Sequence, residues 1–265
     1  MDLSGKLAII TGASRGIGNA LARELAKFGC RLLLTAFEED ELLALSDELR
    51  AQSIKVAAMS ADLSDPESRK NLINWILQQK KQPDILINNA GIGGHFGRFE
   101  NLDLSDIEKI TALNVSACIH LTHELIMVLK SRPQAKIVNI SSGIARLPYP
   151  GLAVYGATKA FVSSFSESLA SELAGTSIDV LCFHPGFTIT SFIRTSNMDM
   201  RKIPKIFLHS PEEIAVQIVR AIRKDKFWAY SDIFTQFGAR LGAVLPARIR
   251  TFIFKDFFWR LPDAK

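Results

Sequence analysis

The chain has 265 residues, 48% of them hydrophobic, and a formal net charge of +5. That length and composition suit one large domain with a buried core and exclude a disordered or low-complexity chain. Lys and Arg are scattered until the C-terminal stretch, so no nucleic-acid partner is expected; an anionic cofactor or an anionic membrane surface fits the charge equally well.

Leu7–Ile10 is a short apolar run that reads as a buried strand, followed by the glycine-rich stretch Thr11–Gly18. An amphipathic helix over Asn19–Phe28 is stopped by Gly29. Arg31–Thr35 is a second strand, Asp40–Ala51 a second helix, and Lys55–Ser60 a third strand closed by Ala61-Asp62-Leu63. Ser64 or Asp65 caps the next helix, with Pro66 in its first turn. Ile85–Ile87 is a fourth strand leading into Asn88-Asn89-Ala90-Gly91, and one long helix covers Leu104–Leu129. Lys136–Ile140 is the fifth strand, a helix containing Tyr155 runs to about Ala174, and Ile178–Phe183 is the sixth strand, ending in Pro185-Gly186. Ser210-Pro211 opens a last peripheral helix, Glu212–Lys224.

Continuous apolar strands alternating with helices predict an α/β fold: a single doubly wound, Rossmann-type parallel sheet with helices on both faces. No repeat or linker divides the chain, so 1–265 is expected to be one domain. Cys30, Cys118 and Cys182 match no metal spacing and give no disulfide framework, which suits a reducing compartment. The N-terminus has no signal-peptide pattern, and no uninterrupted apolar run approaches the roughly 20 residues that span a bilayer. A cytoplasmic protein is expected.

Two clusters carry chemistry. Gly12, Gly16 and Gly18 lie between the first strand and the first helix, where the backbone can approach a pyrophosphate at a helix N-terminus. Tyr155 and Lys159 lie four apart on one helix face, and an ammonium beside a phenol is expected to lower its pKa from about 10 toward the working range. Ser142, just past the fifth strand, would aim its hydroxyl at the same pocket. His95, His120, His123, His184 and His209 show no ligand spacing, and no metal is expected.

Thr11-Gly12-x-x-x-Gly16-Ile17-Gly18, Asn88-Asn89-Ala90-Gly91, Asn114, Ser142, Tyr155-x-x-x-Lys159 and Pro185-Gly186 occur in the order found in the short-chain dehydrogenase/reductase family, which residues 5–190 resemble. The resemblance implies a nicotinamide cofactor and hydride transfer between it and a carbonyl or secondary alcohol. It implies that Gly12, Ser14, Arg15, Gly16, Ile17 and Gly18 hold the pyrophosphate and adenosine side, and that Asp62, with Leu63 beside it, meets the adenine. Asn89, Ala90 and Gly91 would pass under the ribose and nicotinamide, and Pro185, Gly186, Thr188 and Thr190 would edge the carboxamide. Tyr155 would be the general acid, Lys159 its partner and a ligand of the nicotinamide ribose, and Ser142 the carbonyl-orienting hydroxyl. Asn114 would link Lys159 to solvent through water. Ser141 competes with Ser142, and the thirteen-residue spacing to Tyr155 in the family pattern favours Ser142. For Asp62 a plain turn or capping role competes with adenine binding.

NADP(H) is favoured over NAD(H). The second strand ends in Thr35-Ala36-Phe37 with no acid to repel a 2′-phosphate, and Arg15 can pair with that phosphate; Glu38 and Glu39 count against it. Residues 187–210 would cover a substrate whose lining, with Phe187, Phe192, Ile193, Ile206, Phe207, His95 and Phe96, points to a lipophilic carbonyl compound such as a 3-oxoacyl thioester or ketone. Residues 232–265 form a basic-aromatic extension suited to a peripheral membrane contact or to packing on the body or a partner; its aromatics form no single clean stripe. A homodimer or homotetramer is expected. A silent nucleotide-binding sensor or partner platform is the competing reading, disfavoured because Ser142, Tyr155 and Lys159 occur together.

Overall fold

A computed structural model describes residues 1–190 and 204–259, the last four by backbone alone. In chain order its strands are β1 (Leu7–Thr11), β2 (Arg31–Ala36), β3 (Val56–Ser60), β4 (Ile85–Asn88), β5 (Ala135–Ile140), β6 (Ile178–His184), β7 (Phe187–Thr188), β8 (Leu208–His209) and β9 (Trp228–Tyr230). The helices are α1 (Gly16–Lys27), α2 (Glu39–Ala51), α3 (Pro66–Leu77), α4 (Leu104–Thr111), α5 (Ala117–Lys130), α6 (Ala153–Glu172), α7 (Pro211–Arg223), α8 (Ile233–Val244) and α9 (Ala247–Trp259).

Seven strands make one parallel sheet in the order β3-β2-β1-β4-β5-β6-β9. All residues of β1, β4 and β5 are buried, because helices cover both faces and leave no side of the pleat to water. Neighbouring residues therefore serve opposite cores. Ile10 and Leu34 meet Leu21 and Leu25 of α1, Leu42 of α2 and Ile218 of α7. Ile9 and Ile137 meet Leu72 of α3, Leu121 and Leu125 of α5 and Leu169 of α6. The chain leaves β1 toward β2 on one side and β4 on the other, so the crevice of a doubly wound sheet opens at their C-terminal ends.

The expected six strands become seven. Trp228–Tyr230 pairs with Cys182–His184 at the sheet edge. Three residues after Lys224-Asp225-Lys226 carry too little pattern to be read as a strand. Lys136, fully buried in β5, is satisfied by the Asp225 carboxylate at 2.6 Å and the Ile222 carbonyl at 3.2 Å. Asp65, not Ser64, caps α3 through Ser68 N, and Ser210 and Glu213 close a capping box on α7.

The single long helix over 104–129 is interrupted. Between α4 and α5 lies a π turn, Ala112–Ser116, in which Ala117 N donates to the Ala112 carbonyl five residues back. By length and hydropathy alone the stretch Leu104–Lys130 could cross a membrane. Here it is a core helix, with Ala117, Leu121, Leu125 and Leu129 packed on the sheet.

Candidate active site

The glycine loop is shaped first by the protein itself. Gly12 and Gly16 have φ of +65° and +57°, in the left-handed region. A Cβ on Gly18 would stand 2.1 Å from the Gly12 carbonyl oxygen. That closeness lets the Asn89 amide, at the end of β4, donate to the carbonyls of Thr11 (2.8 Å) and Gly12 (3.2 Å). The Thr11 hydroxyl in turn accepts from Asn89 N and Ala90 N. Asn89 and Ala90 thus staple β4 to the loop after β1, and the sites of Gly12, Gly18, Asn89 and Ala90 form one unit.

The start of α1 is left open to a ligand. Its N-cap, Arg15, makes no side-chain cap bond, and its first turn holds no acid. By contrast α2 begins with Glu39, Asp40 and Glu41, and α3 and α7 are capped by their own side chains. An anionic group fits there, held by the first N–H groups of Gly16, Ile17 and Gly18. From the other side Thr190 closes on the loop: a Cβ on Gly16 would meet its Cγ2 at 3.1 Å. The nicotinamide cofactor of this fold therefore has a matching cradle.

Arg15 and Ser14 both reach Glu38. The carboxylate pairs with the Arg15 guanidinium and accepts from Ser14 Oγ at 2.9 Å. Asp62 makes a turn with Ser64: one carboxylate oxygen accepts from Ser64 N at 2.8 Å and Ser64 Oγ at 2.6 Å. Burial would raise its pKa, and the two Ser64 bonds outweigh that and lower it. Leu63 is buried under the crevice, behind Asp62.

Tyr155 and Lys159 are brought together with Ser142 as expected. The Ser142 hydroxyl hydrogen-bonds the Tyr155 side chain. Lys159 Nζ lies 5.8 Å from the centre of the Tyr155 ring and donates to the Ile140 carbonyl at 2.9 Å. The expected drop in the phenol pKa does not appear. Burial pushes Tyr155 up to about 12, opposed by the Ser142 bond, because the ammonium is aimed at Ile140 rather than at the phenol. Burial also lowers Lys159 to about 8. Ser141 points away into the core, on the Lys159 carbonyl and Ser163, which leaves Ser142 as the hydroxyl of the site.

Asn114 occupies the π turn, buried, with both of its amide hydrogens used. It donates to the Ile92 carbonyl (2.9 Å) and Thr158 Oγ1 (3.0 Å) and accepts from Ile92 N (2.9 Å). A Cβ on Gly91 would fall 3.0 Å from Asn114 Oδ1 and 3.3 Å from Lys159 Nζ, so the glycine keeps the floor of the crevice clear.

Beyond Tyr155 a cleft lies between Gly93–His95, the α4 residues Asp106 and Ile110, and Gly151–Leu152. Its lining is mainly apolar, with Leu102, Ile107, Ile110, Leu152 and Val154, and it includes His95 and Asp106, 3.8 Å apart. Of the expected covering segment, Phe192 and Ile193 lie outside the described residues, while β7 and β8 frame its base.

Sequence reasoning missed a hub at that base. Gly186 N donates to Ser231 Oγ (2.8 Å), and Ser231 Oγ donates to Asp232 (2.6 Å). The same carboxylate takes Thr235 Oγ1 (2.6 Å), Thr235 N (2.7 Å) and His209 Nε2 (2.9 Å). Burial alone would raise the Asp232 pKa; the bonds from Ser231, Thr235 and His209 bring it down to about 2. Asp232 followed by Thr235 is a legible helix cap, but its link to Pro185-Gly186 is a fold-level contact. Of the other histidines, His120 accepts from Arg69 Nε at 3.2 Å and His123 is exposed beside Glu124. Among the described residues no three His, Cys, Asp or Glu side chains are grouped as a metal site would need.

The model of the short-chain dehydrogenase family matches residues 6–201. Glycine betaine reductase ATRR of Emericella nidulans is 31% identical over 88% of this chain, which spans only 19% of that protein. The 3-oxoacyl-acyl-carrier-protein reductase FabG of Escherichia coli is 33% identical over 81% of this chain and 88% of its own. A short-chain dehydrogenase of Sphingobium yanoikuyae, solved with NADPH, superposes with a TM-score of 0.81 at 28% identity, covering 91% of this chain and 97% of its own. A 3-ketoacyl-acyl-carrier-protein reductase of Brucella melitensis, solved with NADH, does so with a TM-score of 0.78 at 28% identity, covering 86% and 96%. With the glycine cradle, the Ser142–Tyr155–Lys159 cluster and these likenesses in place, the chain belongs to the short-chain dehydrogenase family and is a nicotinamide-dependent oxidoreductase acting on carbonyl or alcohol groups.

Proposed function

We propose that the protein is an NADP(H)-dependent reductase of a lipophilic carbonyl compound, with Tyr155 as proton donor. The observation that carries this is the buried phenol hydrogen-bonded to Ser142 beside Lys159 at the mouth of the crevice. A phenol held near pKa 12 keeps its proton through neutral pH. It is thus in the protonated form that a proton donor needs, and the charge gained by the carbonyl oxygen on reduction drives the transfer. The bound nicotinamide supplies the hydride.

Each residue then has one task. Ser142 Oγ orients the carbonyl oxygen and hydrogen-bonds it as charge develops, an effect worth a few kcal/mol. Tyr155 Oη transfers the proton to that oxygen. Lys159 holds positive charge beside the phenolate left behind, which favours the transfer, and is placed to bind ribose hydroxyls. Asn114 fixes Ile92 and Thr158, and so the floor beneath them.

The choice of NADP(H) rests on Arg15. Glu38 holds the guanidinium at the edge of the adenosine side, and a ribose 2′-phosphate is a stronger, bidentate partner that would displace the carboxylate. NADPH and NADH oxidation over a panel of 3-oxoacyl thioesters, diketones, aldehydes and ketosteroids tests the reading, with Tyr155→Phe as control. The variant is expected to bind cofactor and to lose about 10²–10⁴ in kcat. Full activity in Tyr155→Phe removes the assignment, and higher kcat/KM with NADH removes the cofactor choice.

A further inference from the structure

The aromatics of the C-terminal extension were expected to form no single stripe; α8 instead carries a mainly aliphatic one, in which Phe237 is the one aromatic. One side of α8 is set tightly on the turn Gly143–Arg146 that follows Ser142. A Cβ on Gly242 would stand 2.4 Å from the Arg146 carbonyl oxygen, and one on Gly143 would stand 2.7 Å from Thr235. Ala239 is buried on the same side.

The opposite side is apolar and open. Ile233, Phe237, Leu241 and Val244 follow at intervals of four, four and three, the spacing of a single helical face, and Phe237 and Val244 are 65% and 76% exposed. In α9, Ile249, Phe252 and Ile253 repeat the spacing, with Phe252 74% exposed. Phe234 meets Phe207 edge to face at 5.2 Å, and the exposed Ile206 carries the surface on to the base of the substrate cover. Rows of exposed apolar side chains of this kind mark an interaction site.

Charge selects the partner. From Ile233 to Lys255 the chain holds not one Asp or Glu. Arg240, Arg248 and Lys255 are its exposed cations there, while Arg250 turns inward and donates to the Arg146 carbonyl at 3.4 Å. A second copy related by a two-fold axis would set this cationic rim against itself. An anionic bilayer accepts both features: its acyl boundary takes the apolar face and its headgroups take the cations.

We propose that α8 and the described part of α9 dock the protein on an anionic membrane surface, apolar stripe inward. This does not depend on the direction or substrate of hydride transfer. Because the Asp232 hub ties α8 to Gly186 and to His209, the helix that carries the docking face is held in a fixed place against the site.

Flotation of the full chain with vesicles tests it, using phosphatidylcholine alone and phosphatidylcholine mixed with phosphatidylglycerol. The protein is expected to float with the mixed vesicles, more weakly in high salt and with the neutral ones. The combined variant Phe237→Ser, Val244→Ser, Phe252→Ser is expected to bind about tenfold or more weakly. Its unchanged circular dichroism and cofactor affinity show that it is folded. Absence of the folded protein from both vesicle types overturns the proposal, as does equal binding by the variant. A dimer in light scattering that the same three substitutions dissociate, without vesicle binding, also overturns it and assigns the face to a second copy.

Discussion

Asp232→Asn isolates the hub that joins the cofactor edge, the base of the substrate cover and the C-terminal helices. The carboxylate accepts four hydrogen bonds, from Ser231, Thr235 twice and His209, with only 15% of its side chain exposed. Its pKa near 2, against an ordinary 3.8, means that the folded state favours the charged form. At 1.36 kcal/mol per pKa unit, the charge contributes about 2 kcal/mol of stability. A depressed carboxylate pKa gives stability that is fully present above the unfolded value and is lost as pH falls through the folded one. Asp232→Asn should therefore be about 2 kcal/mol less stable near pH 7, a fall in Tm of roughly 4–8 °C for a chain of this size. The difference should shrink as pH drops from about 4 toward 2. Thermal melts of both proteins over that range provide the assay, with cofactor KM as a second readout. Because Ser231 holds Gly186 N, that KM should rise. Equal Tm at pH 7, or a gap that stays constant down to pH 3, would refute the reasoning.

Three further outcomes follow from the site. Glu38→Gln removes the carboxylate that competes for Arg15, so the preference for NADPH over NADH in kcat/KM should rise about tenfold; a shift toward NADH would show that Arg15 does not face the phosphate. Gly18→Ala places a Cβ 2.1 Å from a backbone oxygen and should cost about 1–3 kcal/mol in denaturant melts and weaken cofactor binding; a variant equal to wild type in both would mean that the loop yields freely. Lys159, lowered to about 8 by burial, loses its charge as pH rises through that value, so reductive kcat/KM should be flat below about pH 8 and fall above it; a profile that rises there would remove Lys159 from its role.

The residues that sit under regular structure were legible. Strands buried on both faces declare themselves as apolar runs, which is why β1, β4 and β5 could be placed from the sequence. Glycines with a positive φ and the i, i+4 pair of Tyr155 and Lys159 were equally plain. What stayed hidden depends on neighbours far along the chain. The edge strand Trp228–Tyr230 is too short to show a period, and it exists because β6 offers it a ladder. The hub needs Gly186, His209 and Asp232 at one point, and no local pattern relates them. The Tyr155 pKa was misjudged in direction because spacing gives nearness on a helix but not where the ammonium points.

The π turn at Ala112–Ser116 has its own consequence. Such a turn holds one residue more than the α turn it replaces, so the helical stretch from Leu104 to Lys130 is an ordinary amphipathic helix carrying a single-residue insertion. Asn114, its tether to Ile92 and its bond to Thr158 are all seated in that insertion. Deleting one residue there would heal the helix, leaving Leu121, Leu125 and Leu129 free to keep their place on the sheet. Fold and chemistry are thus separable at this point by the smallest step available to a chain: one codon lost removes the Asn114 tether while the core persists.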